Sequence, residues 1–473
     1  MKIFNNLTRQ KEEFTPLEKG KVKFYSCGPT TYDFLHVGNA RALVVGDLFH
    51  RVLKLLGYEV TFVRNFTDVD DKIMERAKSL NRNALDHADL FVKECQTDMN
   101  SLGMMPATFT PKVSESMPEI IQMIQDIIKN GYAYIVDGEV LFHVPDYKNY
   151  GQLSKKDLDS LQHGIRVEVE SHKRHPSDFV LWKPAKEGEI SWDSPWGKGR
   201  PGWHIECSAM AKKFLGKTID LHHGGVDLMF PHHENEIAQS EAANQCSFCG
   251  TWAHNEFLNF GSEKMSKSLG NVVTIRAFIE KYSGLVLRQL LLSVHYRARI
   301  EWSEEVIEKA MSEVERLHEF KMEVENKKAT LEKSEVPSEI ANFVERFKNE
   351  LAQDFNSAGA FGELFSFVRF VRREILLKET SENVLKSVKE ALSIVQLGLG
   401  CFHPHPEQLL KQLQQLKQKD LVVDKVKIEA LIEERKIAKA SKNWKRADEI
   451  RKEITDLGIT MMDHPDGTTT WKY

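Results

Sequence analysis

A chain of 473 residues and 54.4 kDa is too long for a single hydrophobic core, and domain-size statistics divide it into roughly three units. With 65 Lys plus Arg against 69 Asp plus Glu the formal charge is -4, which excludes a global electrostatic pull toward nucleic acid and leaves that task to a local basic patch. No stretch approaches the roughly 20 apolar residues of a membrane span, the N-terminus MKIFNNLTRQ lacks a signal-type apolar core, and six sparse cysteines fit reduced thiols, so a cytoplasmic chain with no membrane partner is expected.

In chain order, Lys21 to Cys27 alternates as a strand, breaks at Gly28 and Pro29, and gives way to a long helical pattern near Asn39. His36, Gly38 and Asn39 sit where that helix begins, and unpaired N–H groups at a helix start favour phosphate. A second strand, Glu59 to Asn65, completes a β-α-β unit, so a doubly wound, Rossmann-like parallel sheet of the α/β class is expected. From Pro111 to Gly199 an insertion reads as a helix, a hairpin over AYIVDGEVLFHV and an irregular stretch rich in Pro, Gly and Trp.

The stretch from Trp203 to Gln239 holds the densest chemistry. Its HHENE segment places His232 and Glu236 four residues apart, on one helix face and at a spacing suited to two ligands of one metal ion. Such a pair more often decorates a solvated face. Here Cys207 lies upstream on another helical segment, and a thiolate, an imidazole and a carboxylate suit zinc better than calcium or magnesium, with one or two ligands still missing. Gly224 and Gly225 follow a short strand-like run, Thr218 to Leu221, the place where open α/β sheets put their ligand sites.

Lys264 and Lys267 lie in the Gly-flanked loop GSEKMSKSLGN, where flexible point charges could stabilise a triphosphate as charge moves onto pyrophosphate. After Ile300 the pattern becomes helical and Lys/Glu-laced, as in a bundle, and Pro404 and Pro406 mark a linker. Beyond Leu421 comes a helical pair and a short tail. Between Arg435 and Lys452 eight basic residues face two acidic ones around Trp444, a composition suited to RNA phosphates and base stacking and also to a solvated helix with one packed Trp.

Taken together, YSCGPTTYDFLHVGNAR, NFTDVDDKI, PGWHIECSAM, GGVDLMFPHHENEIAQ and KMSKSLGN resemble the cysteinyl-tRNA synthetases of the bacterial class I type. The resemblance runs along the whole chain and is most specific in the catalytic half. It implies ligation of one Zn2+ by Cys27, Cys207, His232 and Glu236, and direct selection of the substrate thiolate against serine, alanine and valine. It implies an ATP site at His36, Gly38, Asn39, Lys264, Ser266, Lys267 and Ser268, with Mg2+ accompanying the nucleotide; His36, Asn39, Lys264 and Lys267 are its catalytic members. Gly28, Thr67, Trp203 and Asp227 would line the amino-acid pocket, Asp227 facing the α-ammonium group.

Lys439, Trp444, Asp448 and Asp463 would meet the anticodon of tRNA(Cys), the partner besides ATP and L-cysteine, in a monomeric enzyme. The domains implied are two catalytic halves at 1–110 and 200–255, the insertion at 111–199, a lysine-loop subdomain at 256–300, a helical bundle at 301–403 and an anticodon-binding region at 404–473. Two departures stand out. The family's HIGH loop reads HVGN, so Asn39 supplies a donor without a charge, and Lys439 stands where an Arg is usual, which suits phosphate better than a base edge. Cys246 and Cys249 form a lone CxxC with no second pair, read as ordinary thiols. Two rival functions share these features: a ligase passing activated cysteine to a small amine, which leaves the basic Trp444 segment unused, and a non-catalytic zinc-containing RNA-binding protein, which leaves Lys264 and Lys267 unused.

Overall fold

The computed structural model describes residues 1–156, 172–260, 273–420, 425–441, 443–456, 460–463 and 469–472. It forms two units, Met1–His403 and Pro404–Tyr473. In the first, β1 (Lys2–Asn5) and β2 (Gln10–Glu13) make an antiparallel ribbon. There follow β3 (Lys21–Ser26), α1 (Val37–Leu55) and β4 (Glu59–Arg64), with β3 and β4 parallel. Helices α2 (Asp71–Ser79) and α3 (Ala84–Ser101) come next.

The insertion contributes α4 (Met117–Lys129) and the strands β5 (Ala133–Val136), β6 (Glu139–Phe142), β7 (Phe179–Pro184) and β8 (Gly199–Pro201). These four strands form one antiparallel sheet in sequential order. The expectation of an irregular stretch after the hairpin is therefore corrected: FVLWKP is a strand whose Leu181 and Trp182 are wholly buried, and its pairing with β6 breaks register at Val140, so the short run lacks a clean alternation.

The catalytic-type sheet is completed by α5 (Trp203–Leu215), β9 (Ile219–Gly225), α6 (His232–Asn244) and β10 (Cys249–Asn255). Its order is β10-β9-β3-β4, all parallel, as expected for the doubly wound class. Strand β9 does not stop near Leu221. It continues through Gly224 and Gly225, and every residue of it is buried, the pattern of a parallel strand covered on both faces. A side chain at Gly224 would come within 2.7 Å of the His233 ring, so this glycine lets the strand end approach α6.

Past β11 (Leu258–Asn259) the chain enters α7 (Ile275–Lys281), α8 (Gly284–Leu292) and β12 (Ile300–Glu301), the last paired with β11. Helices α9 (Glu304–Asn326), α10 (Ser338–Ala352), α11 (Ser357–Val371) and α12 (Glu382–Leu399) form the expected bundle. Helix α1 is tied into this framework by buried charges. Asp47 accepts from Arg51 at 2.7 Å and from Arg288 of α8 at 2.6 Å, while Arg41 donates to the carbonyls of His295, Tyr296 and Ala298 at 3.1 to 3.3 Å.

The second unit holds α13 (Pro406–Asp420), α14 (Lys425–Ala440) and α15 (Trp444–Asp456). The tail, expected to be merely short, forms an antiparallel pair of strands, β13 (Thr460–Asp463) and β14 (Thr469–Lys472), and a small core gathers around Ile428, Ile450 and Ile454. Among the described residues no helix is long and apolar enough to cross a membrane.

Candidate active site and metal centre

Cys27 follows the C-terminal end of β3, Cys207 lies on the second turn of α5, and His232 and Glu236 occupy one face of α6. Their ligand atoms all fall within 4.8 Å of one another. Cys27 Sγ lies 3.9 Å from Cys207 Sγ and 3.4 Å from Glu236 Oε1, and His232 Nε2 lies 3.1 Å from the same carboxylate oxygen. The pair on α6 is thus fully buried rather than on a solvated face. This set of two sulfurs, one imidazole and one carboxylate, buried except for the half-buried Cys27, can hold a metal ion, and Cys27 is the donor that local spacing left open.

Sequence reading missed the residues that surround this set. His222 of β9 reaches Glu236 Oε2 at 3.0 Å, so the carboxylate is gripped on one oxygen and offers the other inward. His204 Nδ1 meets His232 Nδ1 at 3.0 Å, fixing the ring whose Nε2 faces the cradle. His233 Nε2 stands 3.4 Å from Cys27 Sγ, with its Nδ1 at 2.8 Å from His254 Nε2. Cys27, His222, His233 and Glu236 therefore form a second, overlapping donor set. A borderline-soft ion favours the set with two thiolates.

The electrostatics fit a cation between these groups. Burial alone would lower the His232 pKa, but its hydrogen bonds to Cys207 and Glu236 and their charges raise it to about 10. Cys207 is brought down to about 6, chiefly by the hydrogen bond from Cys27, whereas burial pushes Cys27 well above the ordinary thiol value. Glu236 is held down at about 2 despite its burial by His222 and His232. Burial keeps His204 neutral, with a pKa lowered to about 3. Without metal, one proton on His232 occupies the place where an ion would neutralise the same two anions.

Of the four residues expected at the amino-acid pocket, Gly28, Thr67 and Trp203 adjoin residues of this cradle. Gly28 donates its N–H to Asn65 Oδ1 at 2.9 Å, and a side chain at Gly28 would collide with the Asn65 carbonyl at 1.6 Å. Asn65 in turn donates to Thr67 Oγ1 at 3.3 Å and lies 3.7 Å from Cys207 Sγ. This asparagine was not singled out beforehand, having been read only as the end of β4. Trp203 stacks on His232 with ring centroids 4.4 Å apart, and Asp227 is exposed on a short turn at the end of β9.

His36 caps α1. Its Nδ1 accepts from the Asn39 N–H at 3.2 Å, and the Asn39 side-chain oxygen accepts from the His36 N–H at 3.1 Å. The neutral ring therefore carries its hydrogen on Nε2, and Asn39 keeps its amide Nδ2 for donation. The expectation of unpaired N–H groups at this helix start is corrected in part, because Val37 already donates to Val273 O at 3.0 Å and Asn39 to His36. Lys264, Ser266, Lys267 and Ser268 lie outside the described residues. In the second unit Lys439 ends α14, Trp444 opens α15 with 61% of its surface exposed, Asp448 is exposed one turn later, and Asp463 lies on β13.

The family profile described as tRNA synthetases class I (C) catalytic domain matches residues 13–312, a DALR domain matches 346–403, and a cysteinyl-tRNA ligase anticodon binding domain matches 425–471. The cysteine–tRNA ligase of Geobacter sulfurreducens is 45% identical, covering 100% of this chain and 99% of its own. That of Halalkalibacterium halodurans is 46% identical over the same shares. The chain belongs to the cysteine–tRNA ligase family. Among solved structures, the Mycobacterium tuberculosis methionyl-tRNA synthetase in complex with methionyl-adenylate has a TM-score of 0.60 at 14% identity, over 82% of this chain and 93% of that one. The Agrobacterium radiobacter LeuRS ternary complex has a TM-score of 0.59 at 11% identity, over 85% and 86%. Both likenesses concern the fold alone, that of class I synthetases. Membership of the cysteine–tRNA ligase family gives the sulfur-rich cradle its context.

Proposed function

We propose that this chain activates L-cysteine with ATP and transfers it to tRNA(Cys), selecting the substrate through one Zn2+ held by Cys27, Cys207, His232 and Glu236. The observation that carries this reading is the set of two sulfurs, an imidazole and a carboxylate whose ligand atoms all lie within 4.8 Å of one another. When bound, zinc supplies a soft Lewis acid that can ligate the substrate thiolate, a bond that no hydroxyl or methyl group matches. A thousandfold preference corresponds to about 4 kcal/mol, so no editing domain is needed.

The side chains position the rest. Trp203 covers His232, Gly28 and Thr67 shape the wall around Asn65, and exposed Asp227 receives the α-ammonium group at the mouth. The cysteine carboxylate, left free, attacks the α-phosphate of ATP; the new P–O bond forms as the bond to pyrophosphate breaks. His36 Nε2–H and Asn39 Nδ2–H hold the phosphates, Lys264 and Lys267 offset the charge that moves onto pyrophosphate, Ser266 and Ser268 complete the loop around it, and Mg2+ accompanies the nucleotide. Gly38 lets the phosphates approach the chain. No nucleophilic side chain is required. ATP–pyrophosphate exchange with each amino acid in turn tests the first step, and charging of tRNA tests the second; exchange dependent on an amino acid other than cysteine would refute the reading.

Zinc binding should release protons in a defined way. At neutral pH the metal-free site holds Cys207, with its pKa near 6, and Glu236, with its pKa near 2, as anions, while His232, raised to about 10, and Cys27, raised by burial, are protonated. Ligation needs all four deprotonated, so calorimetry in buffers of differing ionisation enthalpy should report about two protons released per zinc. Affinity accordingly rises with pH until both His232 and Cys27 have lost their protons, and falls more steeply below pH 6 as Cys207 also takes one up. Release of no protons would show that the four residues do not ligate together.

In the second unit, exposed Trp444 stacks on an anticodon base, Asp448 accepts from a base edge, Lys439 meets phosphate and Asp463 adds a weaker contact. Truncation before Pro404 is expected to leave cysteine-dependent pyrophosphate exchange within about twofold of the parent, a change well under 1 kcal/mol. Charging of tRNA should fall at least about tenfold and lose its preference for the cysteine anticodon, a loss of one or two base stacks at about 1–3 kcal/mol each. Equal anticodon discrimination by the truncated and full-length proteins would place that recognition elsewhere.

A further inference from the structure

The segment joining β3 to α1 carries an aromatic ring, Phe34, that is 39% exposed two residues before the helix cap His36. The ring is nevertheless held on two sides. Phe91 of α3 meets it edge-on, with centroids 5.2 Å apart and planes at 80°, and the Arg276 guanidinium lies 4.7 Å from its centroid. Arg276, the second residue of α7, is itself anchored to α3: its Nε donates to Asp98 Oδ1 at 3.1 Å, and its Nη2 pairs with the Glu94 carboxylate.

The backbone is clamped in the same place. Ile275 N–H donates to Leu35 O at 2.8 Å and Val37 N–H to Val273 O at 3.0 Å, while His87 Nε2 of α3 meets Tyr32 O at 2.9 Å. The stretch from Tyr32 to Val37 is thus wedged between α3 and residues 273–276, with Phe34 as the post on which Arg276 bears.

We infer that Phe34 and Arg276 are positioning residues for ATP: their contact sets the path of the chain through Leu35 so that His36 presents Nε2–H to the phosphates. This rests on the reading of His36 as a phosphate-holding residue. Among the described residues Phe34 and Arg276 pair with Phe91, Asp98 and Glu94 rather than with the four proposed ligands, so the effect should fall on the nucleotide and spare cysteine.

The test is ATP–pyrophosphate exchange with the zinc-loaded full-length protein, measuring KM for ATP and for cysteine alongside thermal midpoints. Phe34→Leu, which leaves the Asp98 and Glu94 pairs of Arg276 intact, and Arg276→Lys, which keeps the charge but loses the planar stack, are each expected to raise KM for ATP about five- to tenfold. KM for cysteine and the midpoint should stay near the parent, and Phe34→Tyr should restore parental behaviour. His36→Ala separates the two levels of the argument. If it raises KM for ATP while Phe34→Leu and Arg276→Lys leave it within about twofold, the positioning role is refuted and the phosphate role of His36 stands. If His36→Ala is also without effect, the phosphate reading falls and the inference with it. A parallel rise in both KM values would reduce the pair to general packing.

Discussion

Cys207→Ser is expected to leave less than one zinc per chain after dialysis and to lower cysteine-dependent exchange about a thousandfold, the equivalent of about 4 kcal/mol, while ATP binding stays near the parent. Serine keeps the size of the side chain but offers a hard, protonated oxygen where a thiolate with a pKa near 6 faces His232 and Cys27. His232→Ala should act in the same direction, and it also leaves Glu236 as a buried carboxylate held by His222 and the Cys27 thiol without its closest partner on α6. The proposed nucleotide side is built from different residues, His36 and Asn39, which are hydrogen-bonded to each other at the start of α1. In the parent protein, zinc X-ray absorption should gain one sulfur scatterer when cysteine is added. Unchanged zinc content in both variants would remove the metal site; an unchanged sulfur shell would remove direct thiolate recognition while leaving the site.

The legibility of this site in the sequence varied by residue. His232 and Glu236 could be paired because helical periodicity puts positions four apart on one face. Cys27 could not be joined to them by spacing, since it follows β3, some two hundred residues before α6 in the chain, and is brought near that helix by the parallel pairing of β3 with β9; family likeness supplied it. His222 escaped notice for a related reason. Strand β9 is buried at every position, so no alternation marks which of its side chains turns toward α6, and a His in such a stretch reads as ordinary core. Asn65 was read as the last residue of a strand, whereas its amide joins Gly28, Thr67 and Cys207 across three segments. The sheet itself was readable from the strand, loop and helix rhythm, but β7 was not, because its pairing depends on a register shift in β6 that sequence pattern does not reveal.

The second large effect concerns the lysine loop. Lys267→Ala is expected to slow adenylate formation by about two to three orders of magnitude, the loss of about 2.7–4 kcal/mol found when one preorganised donor to a transition state is removed. The described residues on either side support a nucleotide role for these lysines: Asn259 belongs to a strand paired with β12, and Val273 and Ile275 are hydrogen-bonded to Val37 and Leu35, which bracket His36. Negative charge accumulates on the leaving pyrophosphate only as the bond to the α-phosphate breaks, so a cation that meets it there lowers the barrier without strengthening ground-state binding. The signature is therefore a fall in the single-turnover rate of activation with KM for cysteine unchanged and zinc content intact, which distinguishes it from the Cys207→Ser outcome. Lys264→Ala should follow the same pattern. A Lys267→Ala protein that activates cysteine within about threefold of the parent, less than 1 kcal/mol in the barrier, would show that the lysine contributes no more than a solvated loop residue and that pyrophosphate is met by other groups.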